Sequence, residues 1–334
     1  MVYSLIRKTS GCAINEIAIS ILLNAQKQFW KNGSKKTVYW IKLRIGILIG
    51  LIVLAFAQGC GNVQKGVSEE ERFALINQDL SFQVHCGPRT PGSECHQKVQ
   101  KWIISTLQEQ KWQVETHSFV YGEQQGVNII GKYGNGGQLI LIGAHYDSRF
   151  TSDQESQPDL RSQPVLGAND GASGVALLLM LAREIPQQLP PTEKTIWLVF
   201  FDLEDNGNYP GWDWILGSTA FANSMLETPS AVVVVDMIGD RDLNIFMEHN
   251  SNVELNQQIW QTAHQLGYDK NFIPQYKYRM IDDHLPFVQR GYPTSLLIDF
   301  DYPYWHTTQD TLDKVSPHSI FVVYDTLINW MRQR

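Results

Sequence analysis

The chain is short of cysteine, of long hydrophobic runs and, over most of its length, of positive charge, and each shortage removes a class of protein. Four cysteines in 334 residues are too few for a disulfide-held scaffold. Cys12 and Cys60 lie in the N-terminal segment, so Cys86 and Cys95 are the only pair in the body. They flank the turn-rich stretch Gly87-Pro88-Arg89-Thr90-Pro91-Gly92-Ser93, where a bridge formed in an oxidising compartment would pin a loop; neither reads as catalytic. The apolar run Ile45 to Ala57 is too short for a comfortable membrane span. No G-x-x-x-x-G-K-[ST] string is present, so there is no phosphate loop, and neither an internal repeat nor a second domain is visible. Residues 1–59 carry eight Lys/Arg against one acidic residue, which leaves 19 against 33 for the rest, a formal net of −14. An acidic body argues against nucleic acid as a partner.

The basic N-terminal part has its own logic. Lys42 and Arg44 precede the run Ile45 to Ala57, and Gln58-Gly59-Cys60 follows, which is a signal-peptide layout. With Ala57 and Gly59 flanking the cleavage position, Cys60 resembles the lipid-modified cysteine of an exported lipoprotein. Export to the cell envelope with a lipid anchor at Cys60 is therefore expected, an uncleaved N-terminal membrane anchor being the alternative. Residues 1–37 suit neither arrangement, and a start near Val38 would give a compact signal. The expected organisation is an extension and signal over 1–60, a tether over 61–75 and one domain over 76–334.

Within that domain, Val99, Trp102, Ile103, Ile104 and Leu107 give His96 to Gln110 the spacing of an amphipathic helix. Val127 to Tyr133 and Gln138 to Ala144 read as strands joined in a hairpin by the Gly-rich turn 134–137. Gly171 to Ile185 reads as a buried helix. Thr195 to Phe201 and Ala231 to Asp236 are continuous apolar runs, the pattern of central strands covered on both faces. A helix over Asn252 to Leu266, a strand over Thr294 to Phe300 and a helix over Pro317 to Arg334 complete the order. The class predicted is α/β, a single domain with a mixed central sheet sandwiched between helices.

Residues able to bind a metal stand where those strands end: His145 with Asp147, Asp170 in Gly167-Ala168-Asn169-Asp170-Gly171-Ala172, the pair Glu204-Asp205, Asp236, and His306 in Trp305-His306-Thr307. The carboxyl ends of strands in an α/β sheet are where such folds build sites. Imidazole nitrogen and carboxylate oxygen are zinc donors, and a catalytic zinc keeps one position open. Adjacent carboxylates after a buried strand are electrostatically awkward without a cation or a shared proton. Asp205 is accordingly expected to bind metal and Glu204, its pKa raised, to move protons. Asp147 lies on the same side of an extended backbone as His145 and could orient its imidazole. Asp282, Asp283 and His284 form a further cluster expected to face substrate.

On these motifs, with Asp236-Met237-Ile238-Gly239, Asp282-Asp283-His284-x-Pro-Phe and Gly87-Pro88-Arg89, the chain resembles the zinc aminopeptidase superfamily and, more closely, its glutaminyl-peptide cyclotransferase branch. The similarity runs from about Gly87 to the C-terminus. Trp305 before the last histidine, after the Asp-Asp-His-x-Pro-Phe run, is the branch mark. The resemblance implies one zinc on Asp170, Asp205 and His306, Glu204 as proton shuttle, Asp282 as hydrogen-bonding partner of the reacting amide, and peptides or proteins with N-terminal glutamine as substrates. Trp305, His284 and one of Trp212 or Trp214 are expected at the substrate pocket. The family usually has two glutamates where this chain has Glu204-Asp205, so one ligand is shorter by a methylene. His145 and Asp236 leave room for a second zinc, and hence for a two-metal aminopeptidase that releases N-terminal residues. A binding protein with an inert zinc site is disfavoured, since it has no need of Glu204.

Overall fold

A computed structural model describes residues 67–334; the signal segment, Cys60 and residues 61–66 of the expected tether lie outside the described residues. The first helix, α1 (Glu69–Cys86), opens with a reciprocal cap in which Ser68 Oγ accepts from Glu71 N at 3.2 Å and Glu71 Oε2 accepts from Ser68 N at 2.8 Å. Residues 69–75, expected in the tether, therefore belong to the domain, with Ile76 and Leu80 on the buried face of α1. α2 (Glu94–Glu109) follows, capped by Ser93, and Cys86 is disulfide-bonded to Cys95 across the connecting loop.

Six strands form the main sheet: β1 (Gln113–Tyr121), β2 (Gln124–Tyr133), β3 (Gln138–His145), β4 (Lys194–Phe201), β5 (Ala231–Asp236) and β8 (Thr294–Ile298), in the spatial order β1-β2-β4-β3-β5-β8. The pairings β4/β3, β3/β5 and β5/β8 are parallel, and β1/β2 and β2/β4 antiparallel. The continuous apolar runs are explained by two-sided burial. In β4, Ile196, Leu198 and Phe200 join one core cluster, while Trp197, Val199 and Phe201 join another on the opposite face. The first face is covered by α1, α2, α3 (Ala172–Gln188), α5 (Val253–Gln265) and α7 (Pro317–Gln333). The second is covered by α4 (Leu216–Ser224) and α6 (Leu285–Gln289). A small parallel pair, β6 (Ile245–Glu248) with β7 (Phe272–Tyr278), stands apart from the main sheet.

The mixed sheet between helical layers agrees with the predicted class, and the expected hairpin does not. β4 is inserted between β2 and β3, and the 134–137 loop crosses the start of β4, with Asn135 N donating to Pro191 O at 2.8 Å. The glycines are there for close approach: a Cβ on Gly136 would lie 2.3 Å from the Glu193 backbone. The hairpin is β1–β2, turning at Gly122 with φ +56°. β1 was absent from the sequence expectation because, at the sheet edge, it is only partly buried and carries no apolar run.

Among the described residues no helix is long and apolar enough to cross a membrane.

Candidate metal centre and active site

The parallel strands deliver the site from their carboxyl ends. His145 is the last residue of β3 and Asp236 the last of β5; Glu204 and Asp205 lie in the turn leaving β4, Asp170 in the turn entering α3, and His306 in the turn beyond β8. Leu203, Met237 and His306 all have positive φ, at 58°, 45° and 55°. Left-handed backbone at non-glycine residues persists only where surrounding bonds impose it. Leu203 N and Met237 N are held by the preceding carboxylates, Asp202 at 2.9 Å and Asp236 at 2.7 Å.

Two buried groups result, each able to hold a metal ion: Asp170, Asp205 and His306, and His145, Asp170 and Asp236. His306 Nε2 lies 2.9 Å from Asp205 Oδ1 and 3.6 Å from Asp170 Oδ2. His145 Nε2 lies 3.1 Å from Asp170 Oδ1 and 3.3 Å from Asp236 Oδ1. Asp170 thus belongs to both, one oxygen toward each histidine. Asp170 Oδ2 and Asp205 Oδ2 are buried with no hydrogen-bond partner. Orphaned acceptors on neighbouring carboxylates are costly, and a cation bound between them removes both the desolvation and the repulsion. The donor set of carboxylate oxygens and imidazole nitrogen fits zinc. Close packing depends on Gly171, where a Cβ would meet His145 Cε1 at 2.6 Å.

Asp147 is fully buried and does more than the sequence suggested. Its Oδ1 is 3.5 Å from His145 Nδ1, and its two oxygens also accept from the backbone N–H groups of Glu204 at 3.1 Å and Asp205 at 3.3 Å. One side chain therefore lies beside the β3 histidine and fixes the turn that carries the acidic pair.

The electrostatics divide the carboxylates into roles. Burial, reinforced by Asp205, Asp283 and Asp282 against His145, pushes Glu204 well above the usual carboxylate range. Burial and Asp236 do the same for Asp282. Burial and Asp170 push Asp205 up to about 6. Burial also opposes ionisation of Asp170, but the hydrogen bond from His145 outweighs it and the pKa falls below normal. For His306 burial opposes charge, and Asp205 with Asp153 overcomes it, raising the pKa to about 9. The raised proton affinity of Glu204 suits it to accept and return a proton, that of Asp282 to donate a hydrogen bond, and the lowered pKa of Asp170 favours its charged form.

The aromatic residues separate cleanly. Trp305 stacks on the His306 ring at 3.9 Å, and Trp214 on the same ring at 6.0 Å. Gly207 makes room for Trp214, since a Cβ there would lie 2.1 Å from the indole. Trp212 packs instead against Phe150 and Tyr121. His284, expected in the pocket, is fully buried, with Nε2 3.3 Å from Glu248 Oε2.

Several contributors were not anticipated. Asp153 Oδ1 is 3.2 Å from His306 Nδ1, and Arg149 reaches both Asp153 and the backbone of Asp205. The buried Asp310 carboxylate accepts from Asn169 N at 2.8 Å, Asp170 N at 3.1 Å and Tyr302 Oη at 2.8 Å, holding the Asp170 turn. Arg89, also fully buried, donates to Tyr146 O, Leu166 O and Gly167 O, joining the His145 and Asp170 turns. The Gly-Pro-Arg string and the Asp ending Trp305-His306-Thr307-Thr308-Gln309-Asp310 were the available signals; nothing local marks Asp153.

Strand order and the placement of these residues at the strand ends match the zinc aminopeptidase-like fold, and the chain belongs to peptidase family M28, matched over residues 128–331. Within that superfamily it falls in the glutaminyl cyclase branch. It is similar to a glutaminyl-peptide cyclotransferase of Boiga irregularis, 29% identical over 278 residues that cover 70% of this chain and 73% of the relative. Among solved structures, a glutaminyl cyclase from Tannerella forsythia superposes with a TM-score of 0.73 at 29% identity, covering 80% of this chain and 99% of that one. A leucine aminopeptidase precursor from Bacteroides thetaiotaomicron does so with 0.74 at 26% identity, over the same shares of 80% and 99%. Fold alone does not separate the two chemistries.

Proposed function

We propose that this protein is a zinc-dependent glutaminyl-peptide cyclotransferase, converting the N-terminal glutamine of peptides or proteins to pyroglutamate with release of ammonia. The observation that carries it is the placement of Glu204, a buried carboxyl of raised proton affinity next to the ligand Asp205 and within the electrostatic reach of Asp282. The similarity to glutaminyl cyclases supports the choice of substrate.

Asp170, Asp205 and His306 would hold the zinc, which when bound supplies Lewis acidity toward the side-chain carbonyl of the substrate glutamine. The residues of the chain account for the rest. The substrate's α-amine attacks its own side-chain carbon, so positioning replaces a second reactant. A carbon–nitrogen bond forms to the α-nitrogen and the one to the amide nitrogen breaks. Glu204 takes the proton from the attacking amine and delivers it to the departing nitrogen, which leaves as ammonia. Asp282, held protonated by burial and Asp236, donates a hydrogen bond to the reacting amide. Trp305 and Trp214, stacked about His306, wall the pocket and exclude water that would divert the reaction to hydrolysis.

A second reading, a two-metal aminopeptidase, is favoured by one feature, the complete group His145, Asp170 and Asp236. The zinc-loaded protein, given a short peptide beginning with glutamine and followed by mass spectrometry, separates them. Loss of ammonia from an otherwise intact peptide supports the cyclotransferase; release of a free amino acid supports the aminopeptidase. The signal layout around Cys60 supports action at the cell envelope. Metabolic labelling with a fatty acid should be lost in Cys60→Ser, and labelling that persists would remove the lipid anchor.

A further inference from the structure

We propose that the segment 149–155 is a strap that sets the separation of Asp205 and His306, with Arg149 and Asp153 as its positioning residues. This rests on reading Asp170, Asp205 and His306 as a metal centre.

Arg149 lies just after the His145-Tyr146-Asp147-Ser148 motif, and its guanidinium is almost wholly enclosed. Nη1 donates to Asp205 O at 2.6 Å and Nη2 to Gly207 O at 3.0 Å, so it grips the turn bearing one ligand. Nε and Nη2 also meet both oxygens of Asp153, at 2.8 and 3.0 Å, in a two-pronged pair. The guanidinium lies over Trp214 at 4.9 Å, and Trp214 in turn stacks on His306. Asp153 carries the grip across to the second ligand: its Oδ1 is 3.2 Å from His306 Nδ1, the nitrogen opposite the one aimed at Asp205. A carboxylate beside Nδ1 favours the tautomer with its proton there, which leaves the Nε2 lone pair free for a cation.

The rest of the strap fastens the His306 backbone. Gln154 N donates to His306 O at 3.2 Å, and Glu155 Oε2 accepts from Thr308 Oγ1 at 2.8 Å and Thr308 N at 3.3 Å. His306 sits at φ +55°, a conformation that needs such outside fixing. Asp205 and His306 are 101 residues apart, and among the described residues Arg149 with Asp153 links them without using either metal-facing atom. Lysine could not replace Arg149, because a single ammonium lacks the flat fork that serves Asp153 and two carbonyls together.

The test is zinc affinity of the full chain, measured by competition with a chromophoric chelator, alongside thermal melting of the metal-free protein. Asp153 is 40% exposed, so its substitution opens no core. We expect Asp153→Ala to lose about 10- to 100-fold in affinity, with the metal-free protein still melting cooperatively. Asp153→Asn, whose amide oxygen can still face Nδ1, should fall between Ala and wild type, and Arg149→Lys should lose affinity as Asp153→Ala does. Affinity of Asp153→Ala within twofold of wild type would overturn the strap while leaving the metal centre standing. A wild-type chain that binds no zinc would overturn the metal reading itself. A lowered melt with unchanged affinity would make the segment merely structural, and also overturns the proposal.

Discussion

Asp147 Oδ1 accepts a hydrogen bond from the backbone N–H of Glu204 at 3.1 Å, tying the exit of β3 to the exit of β4. Asp147 Oδ2 accepts from Asp205 N, so the proposed catalytic carboxyl and the candidate metal ligand beside it are aimed by one buried carboxylate. In Asp147→Asn the amide NH2 must confront one of these N–H donors, leaving a buried donor unpaired. Activity should fall about 10- to 100-fold, with far-UV circular dichroism unchanged. Full activity in Asp147→Asn would show that the turn is held by other contacts.

Glu204→Gln removes the proposed proton-transfer group and keeps its shape. The turnover number should fall about 10²- to 10⁴-fold, while zinc stoichiometry is retained. Since Glu204 is buried among Asp205, Asp282 and Asp283, the metal-free variant should melt no lower than wild type. A variant that keeps its turnover would remove Glu204 from the chemistry.

Asp299 tests the pH dependence away from the candidate metal ligands. Burial and the charges of Asp240 and Asp301, against the hydrogen bonds from Asn244 N and Asp301 N, push its pKa up to about 7. In the unfolded chain it titrates near an ordinary Asp, about 4. Between those values the native state holds the extra proton, so stability declines as pH rises from about 4 to 7. Asp299→Asn removes that contribution. The difference in melting temperature between variant and wild type should shift in the variant's favour across this window; a pH-independent difference would contradict the assignment.

The disulfide closes a loop of nine-residue separation. In the chain-entropy picture a bridge over a loop of about ten residues contributes roughly 3 kcal/mol. Paired Cys86→Ser and Cys95→Ser substitutions should therefore lower the unfolding free energy by about 2–3 kcal/mol, read from denaturant titration. No change would mean that the loop is held by Arg89 and its carbonyl partners alone.

Much of the site was legible because the signals were local. His145 and Asp236 end apolar runs and Glu204-Asp205 follows another, and strand ends in such sheets converge on one edge. The supporting residues were not legible for the opposite reason. Asp153 meets His306, and Asp310 meets the Asp170 turn, across long stretches of chain with no periodicity to announce either contact. The placement of β4 between β2 and β3 was hidden too. Gly134 to Gly137 has the composition of a hairpin turn, and only the packing of its glycines on Glu193 and Lys194 reveals a crossing.

By itself the sequence determined which segments must be buried on two faces, because continuous apolar runs such as Thr195 to Phe201 leave no face for water. It also determined the chemistry on offer, because imidazoles and carboxylates at strand exits can serve few purposes other than binding a cation or moving a proton. The tertiary structure alone decided that Asp170 is shared between two ligand groups, that Trp214 and not Trp212 stacks on His306, and that His284 is buried against Glu248. Each of these depends on strand order and on the paths of turns, which are set by the packing of the whole core, whereas periodicity and residue type report only on their immediate surroundings.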